Sequence, residues 1–115
     1  MKFFIAIIDG TVVLKNVSFA NSFFKRLIGL LFRKDLNKDD GLLIYPCNQI
    51  HTFGMKFCID AVFLSPTFEV MHIEHNIPRG QISKYVKGAS QVLELKGGIA
   101  EDKGILVGQT IIFTR

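Results

Sequence analysis

Apolar and polar positions along the chain repeat with two different periods, and the change of period divides it into elements. Residues 3–14 read FFIAIIDGTVVL, two strand-forming runs around Asp9-Gly10. That dipeptide accepts the positive φ of a tight turn, so a hairpin is expected. Between 18 and 32 the period lengthens. Phe19, Phe23, Leu27 and Leu31 fall four apart, Ala20, Phe24 and Ile28 run beside them, and Asn21, Ser22, Lys25, Arg26 and Gly29 lie on the other side. This stripe predicts an amphipathic helix over 18–32, capped by Ser18 and completed by Arg33 and Lys34 at the negative end of its dipole. It reads as a core helix packed on a sheet. Lys25 and Arg26 on the polar face leave a membrane-surface helix as the alternative.

After a polar loop, DLNKDDG at 35–41, Leu42 to Tyr45 reads as a short strand stopped by Pro46. From Phe53 the odd positions are Phe53, Met55, Phe57, Ile59, Ala61 and Phe63, and the even ones Gly54, Lys56, Cys58, Asp60, Val62 and Leu64. Period two predicts one extended segment over 53–64. It turns apolar on both faces near Val62, as a strand does when it enters the middle of a sheet. Ser65-Pro66-Thr67 makes a turn, and Glu69 to Ile77 returns as the partner strand. Pro78 to Gly88 is an irregular, basic connection. Gln91 to Leu95 is a further strand, Ile99 to Lys103 a helical turn closed by Gly104, and Thr110 to Phe113 the last strand. No repeat and no interdomain linker interrupts this, so residues 1–115 are expected to form one globular domain. The fold class is α+β: a mostly antiparallel sheet or partly closed barrel of about seven strands, with one amphipathic helix and a short C-terminal helical turn.

Composition changes little. A chain of 115 residues with 49% hydrophobic content buries enough surface to fold without staples. Its net charge of +4 is mildly basic. The apolar run Phe3 to Ile8 is ended by Asp9, shorter than the 7–15 residues of a signal segment and far short of a ~20-residue membrane span. Two cysteines make no disulfide framework. A cytoplasmic protein without a membrane span is the expectation.

The chemistry gathers in CNQIHTFGMKFCID, residues 47–60. Cys47 and His51 have a spacing that shares one zinc ion on a helix, but on an extended chain they stand about 13 Å apart. Pro46 and Gly54 oppose a helix, and His72 and His75 point to opposite faces if they share a strand. No metal site and no cofactor is therefore expected. A thiol-imidazole pair needs residues 47–51 to curl, which Asn48 permits. Asp60, a carboxylate inside an apolar strand, needs a partner. Lys56, a histidine, Arg79 and backbone N–H groups are the choices. Cys47, His51 and Asp60 are the catalytic candidates, and His51, Thr52, Phe53, Met55 and Arg79 the ligand-binding ones.

Several of these residues resemble a known family. Ile50-His51-Thr52, Met55-x-Phe57, Ile59-Asp60 and Val62-Phe63 are similar to the signature of the prokaryotic "uncharacterised ACR" group, DUF192. Arg26-Leu27-Ile28-Gly29-Leu30-Leu31 and Val92-Leu93-Glu94-Leu95 through Gly108 resemble two further segments of that family. The likeness runs from about residue 15 to 113. Where the family closes on Gly-Asp, this chain has Gly108-Gln109. The resemblance implies a β-rich single domain and brings no activity, cofactor or catalytic residue.

Three functions fit. The first is a non-catalytic module that holds a small molecule or a protein partner's peptide in a groove between the 47–56 loop and the 78–88 connection. The second is a thiol- or metal-dependent enzyme using Cys47, His51 and Asp60. The third is a weak nucleic-acid binder using Lys25, Arg26, Arg33, Lys34, Arg79, Lys84 and Lys87, for which Tyr85 is the only interleaved aromatic of the 78–88 segment. The first accounts for most of these features.

Overall fold

The computed structural model describes residues 3–20 and 36–115. Its strands are β1 (Phe4–Ile8), β2 (Thr11–Ala20), β3 (Asp40–Ile44), β4 (Ile59–Leu64), β5 (Val70–Ile77), β6 (Gln91–Lys96) and β7 (Ile112–Thr114), with the short helix α1 (Ile99–Asp102) before β7. They form one sheet in the order β5-β4-β6-β3-β2-β1-β7. Every pairing is antiparallel except β2 with β3.

The expected hairpin is present. Asp9 and Gly10 take φ of 50° and 79°, the doubly positive turn whose twist matches the flanking strands. The helical turn begins at Ile99 as expected, and the final strand, expected over Thr110–Phe113, runs from Ile112 to Thr114. The helix expected over 18–32 begins differently: Ser18, Phe19 and Ala20 end β2, paired in parallel with Leu42, Leu43 and Ile44. Their side chains alternate, Ala20 packing on one face of the sheet and Phe19 on the other. Ladder bonds to a strand more than 20 residues away outweigh the local four-residue spacing here, and Ser18 lies within the ladder opposite Leu42. The rest of that helix lies outside the described residues.

The segment expected to be extended from 53 to 64 is a strand only from Ile59. Gly54 takes φ 79° and the Met55 N–H bonds back to the Thr52 carbonyl at 3.2 Å, so the chain turns where extension was expected. From Ile59 to Leu64 all six residues are buried, as a strand paired on both edges and covered on both faces requires.

Each face carries its own core. On one, Leu14, Val17, Leu43, Val62, Leu64, Leu93 and Leu95 meet Ile99 and Ala100 of α1, with Ile105 and Ile111. On the other, Leu42, Ile44, Ala61, Phe63 and Val92 meet Leu36, Ile50, Met55 and Val86 from loops. The barrel alternative is corrected to an open sheet, because the strand order is linear. Its two rims touch at one short latch: Val70 N–H to Gln109 O and Gly108 N–H to Val70 O, both 2.8 Å, and Ile111 N–H to Phe68 O at 3.0 Å. Among the described residues no helix is long and apolar enough to cross a membrane.

Candidate functional site

The segments 47–56 and 78–88 lie side by side over the second core and bond to each other directly. Thr52 is the fastener. Its N–H donates to Gln81 O at 2.8 Å, its hydroxyl donates to Pro78 O at 2.7 Å, and that hydroxyl accepts the Gln81 N–H at 2.9 Å. Ser83 does the same one step on: its N–H donates to Ile50 O and its hydroxyl accepts the Ile50 N–H, both at 2.9 Å. Val86 N–H to Asn48 O and Cys47 N–H to Ser90 O complete the zip. The two segments therefore make one joined platform rather than two walls of a groove. Buried Ile50, Met55 and Val86 root it in the core.

What the platform presents is largely apolar and cationic. His51 stacks on Phe53, ring centroids 5.1 Å apart. Ile82 lies opposite His51 across an isolated bridge and is 63% exposed, and Phe53 is 48% exposed. Lys56, Arg79, Lys84 and Lys87 are exposed as well. Segments 45–59 and 78–90 contain no carboxylate. Of the ligand-binding candidates, His51, Phe53 and Arg79 face solvent, whereas Thr52 and Met55 are buried and hold the platform together.

The catalytic candidates are not joined by hydrogen bonds. The Cys47 thiol donates to Gln49 O at 3.2 Å. Asp60 is fully buried and solves its charge with backbone: Oδ1 accepts the N–H of Asn76 (2.8 Å) and Gly98 (3.1 Å), and Oδ2 that of Ala100 (2.8 Å). Of the partners considered for it, the backbone is the one found. A carboxylate with three such bonds is well satisfied. It ties β4 to a bulge in β5, where Asn76 takes φ 51°, and to the first turn of α1. Gly97 packs closely beside it: a Cβ there would meet Asn76 Oδ1 at 2.6 Å and the Cys58 carbonyl at 3.2 Å, so the Asn76 side chain would have to move. The two cysteines form no disulfide, and among the described residues no three of His, Cys, Asp and Glu gather to hold a metal ion.

Sequence reasoning passed over Glu94. It lies mid-strand in β6, opposite Leu42 and Ala61, and is 5% exposed. Burial pushes its carboxyl from 4.5 up to about 8. The signal was available: Val92-Leu93-Glu94-Leu95 has the same acid-among-apolars form as Ile59-Asp60-Ala61-Val62. His72 and His75, expected on opposite faces, both border one cavity at the rim of β5, because an edge strand exposes both parities to the space beyond it.

A family model described as uncharacterised ACR, DUF192, matches residues 5–113. No curated protein matches the chain. Two solved structures share its fold. One, a protein of unknown function from Novosphingobium aromaticivorans, is 20% identical with a TM-score of 0.84, covering 96% of this chain and 83% of that one. The other, described as a "putative transcription regulator" from Sinorhizobium meliloti, is 21% identical with a TM-score of 0.84, covering 96% of this chain and 91% of that one.

Proposed function

We propose, starting from the fact that the chain belongs to the DUF192 family of uncharacterised ACR proteins, that it is a non-catalytic binding module whose recognition surface is the platform of residues 47–56 and 78–88. The observation that carries this reading is the His51–Phe53 ring stack beside exposed Ile82, held out from a hydrogen-bonded base. Exposed aromatic and aliphatic side chains on a rigid support serve as anchors in recognition surfaces. Around them stand Lys56, Arg79, Lys84 and Lys87 without a carboxylate in either segment. The complementary ligand is a peptide with an apolar side chain flanked by Asp or Glu. Charge would bring it in and the rings would hold it. The thiol- or metal-enzyme reading lacks a contact among Cys47, His51 and Asp60. Two cysteines without a disulfide suit a reducing, cytoplasmic setting.

Fluorescence anisotropy tests this with three labelled probes: an acidic peptide centred on Phe, the same peptide with Lys for each acid, and a mixed-sequence DNA oligonucleotide. The acidic peptide should bind, and the double substitution Phe53→Ala with Ile82→Ser should weaken it by about tenfold or more. Equal binding of both peptides, or no effect of the double substitution, would remove the reading. Salt-dependent binding of the oligonucleotide that the double substitution abolishes would reassign the platform to nucleic acid.

A further inference from the structure

We propose that the chain carries a second ligand site, independent of the platform: a cavity of about 330 Å³ between the rim of β5 and the turn after α1, suited to a small amine with an apolar body. His72, Ile73 and His75 border it from β5, Glu101 from α1, and residues 104–107 from the turn. The volume lies in the range of small-molecule sites.

The walls are built to stay apart at a set distance. Asp60 holds both of them at once, since it accepts the Asn76 N–H next to His75 and the Ala100 N–H next to Glu101. The third wall is tied by Gln109, whose Oε1 accepts the Leu106 N–H at 2.8 Å and whose Nε2 donates to Gly104 O at 3.3 Å. The rim latch through Val70 and Gly108 fixes that turn to β5. Such preorganisation lowers the ordering cost of binding. It also gives the amide at 109, where the family closes on an aspartate, a task in this chain.

The lining selects the ligand. Ile73 and Ile105 supply apolar wall, and Leu106 and Val107, each 62% exposed, extend it into solvent. Among the described residues Glu101 is the only carboxylate on the lining, and no lysine or arginine borders it, although the chain as a whole carries +4. An ammonium group therefore meets Glu101 with no lysine or arginine of the described lining in competition. An anionic ligand would meet the same carboxylate with no guanidinium or ammonium to offset it. The platform and the cavity thus prefer opposite charges.

The test is a ¹H–¹⁵N NMR titration of the full chain with phenethylamine and, separately, phenylacetate, which has a similar body and the opposite charge. Phenethylamine should give saturable shifts confined to residues 72–76 and 100–109. Phenylacetate, and phenethylamine with Glu101→Gln, should bind about two- to fivefold more weakly, the factor an exposed ion pair supplies. Glu101 is exposed, so its substitution leaves the fold intact. Leu106→Ser should weaken both probes. Shifts scattered over the surface, equal affinity for the two probes, or an unaltered response in Glu101→Gln would overturn the proposal.

Discussion

Replacing Glu94 with Gln should flatten the alkaline side of the stability curve. Among the described residues the Glu94 carboxyl makes no hydrogen bond or ion pair, and Leu42 and Ala61 flank it across the strands. Folding therefore strips water from it with nothing in return, which favours the neutral acid and raises its value from 4.5 to about 8. The folded value lies above the unfolded one. The carboxyl's contribution is thus fully present below about pH 4.5 and is lost as pH rises through about 8. At about 1.4 kcal/mol per unit, the loss over the whole window is roughly 5 kcal/mol, and between pH 5 and 9 roughly 4. That is comparable to the entire stability of many small domains. Glutamine has nearly the shape of the protonated acid and does not titrate. Urea unfolding followed by far-ultraviolet circular dichroism at pH 5, 7 and 9 should find the two proteins within about 1 kcal/mol at pH 5. The variant should then pull ahead steadily as pH rises. Parallel loss of stability in both between pH 5 and 9 would refute the argument, because it would mean that the carboxyl is solvated or paired.

Asp60→Asn puts an amide NH₂ against a backbone N–H and removes the charge from three hydrogen bonds. A loss of about 3 kcal/mol is expected in urea unfolding, with faster hydrogen exchange at Asn76, Gly98 or Ala100. Thr52→Val keeps the shape of the side chain but orphans Gln81 N–H and Pro78 O. It should cost about 2 kcal/mol and speed exchange at the Gln81 amide. Gln109→Asp keeps an acceptor for Leu106 N–H but loses the donor to Gly104 O. A drop of under about 1 kcal/mol in calorimetry should accompany weaker phenethylamine binding.

Local chemistry was readable and distant pairing was not. Asp9-Gly10 identified its hairpin because a doubly positive φ turn needs only two residues. The run from Ile59 to Leu64 announced burial on both faces because no polar side chain but Asp60 interrupts it. Residues 53–58 misled because Phe53, Met55 and Phe57 alternate without forming a ladder: Met55 goes inward as an anchor, Phe53 outward as a surface ring, and Gly54 turns the chain between them. Ser18 to Ala20 misled in the opposite sense, since their partner strand is remote in sequence and leaves no local trace. Asp60 plainly required a partner, but the N–H groups it found at 76, 98 and 100 are brought near only by the sheet. The platform was legible as a pair of unusual segments, whereas the hydroxyl of Thr52 as its fastener was not. The cavity at the β5 rim joins residues about 30 apart and had no sequence signature.

The position of β6 has a consequence for how the chain emerges from the ribosome. Residues 91–96 fill the gap between β3 and β4, so both neighbours are synthesised with one whole edge of N–H and C=O groups unmatched. Until that stretch has left the ribosome, the nascent polypeptide holds two sticky half-sheets that could join each other or a neighbouring chain. The interval after β4 has emerged and before β6 has emerged should be the moment when holdase chaperones matter most to this protein.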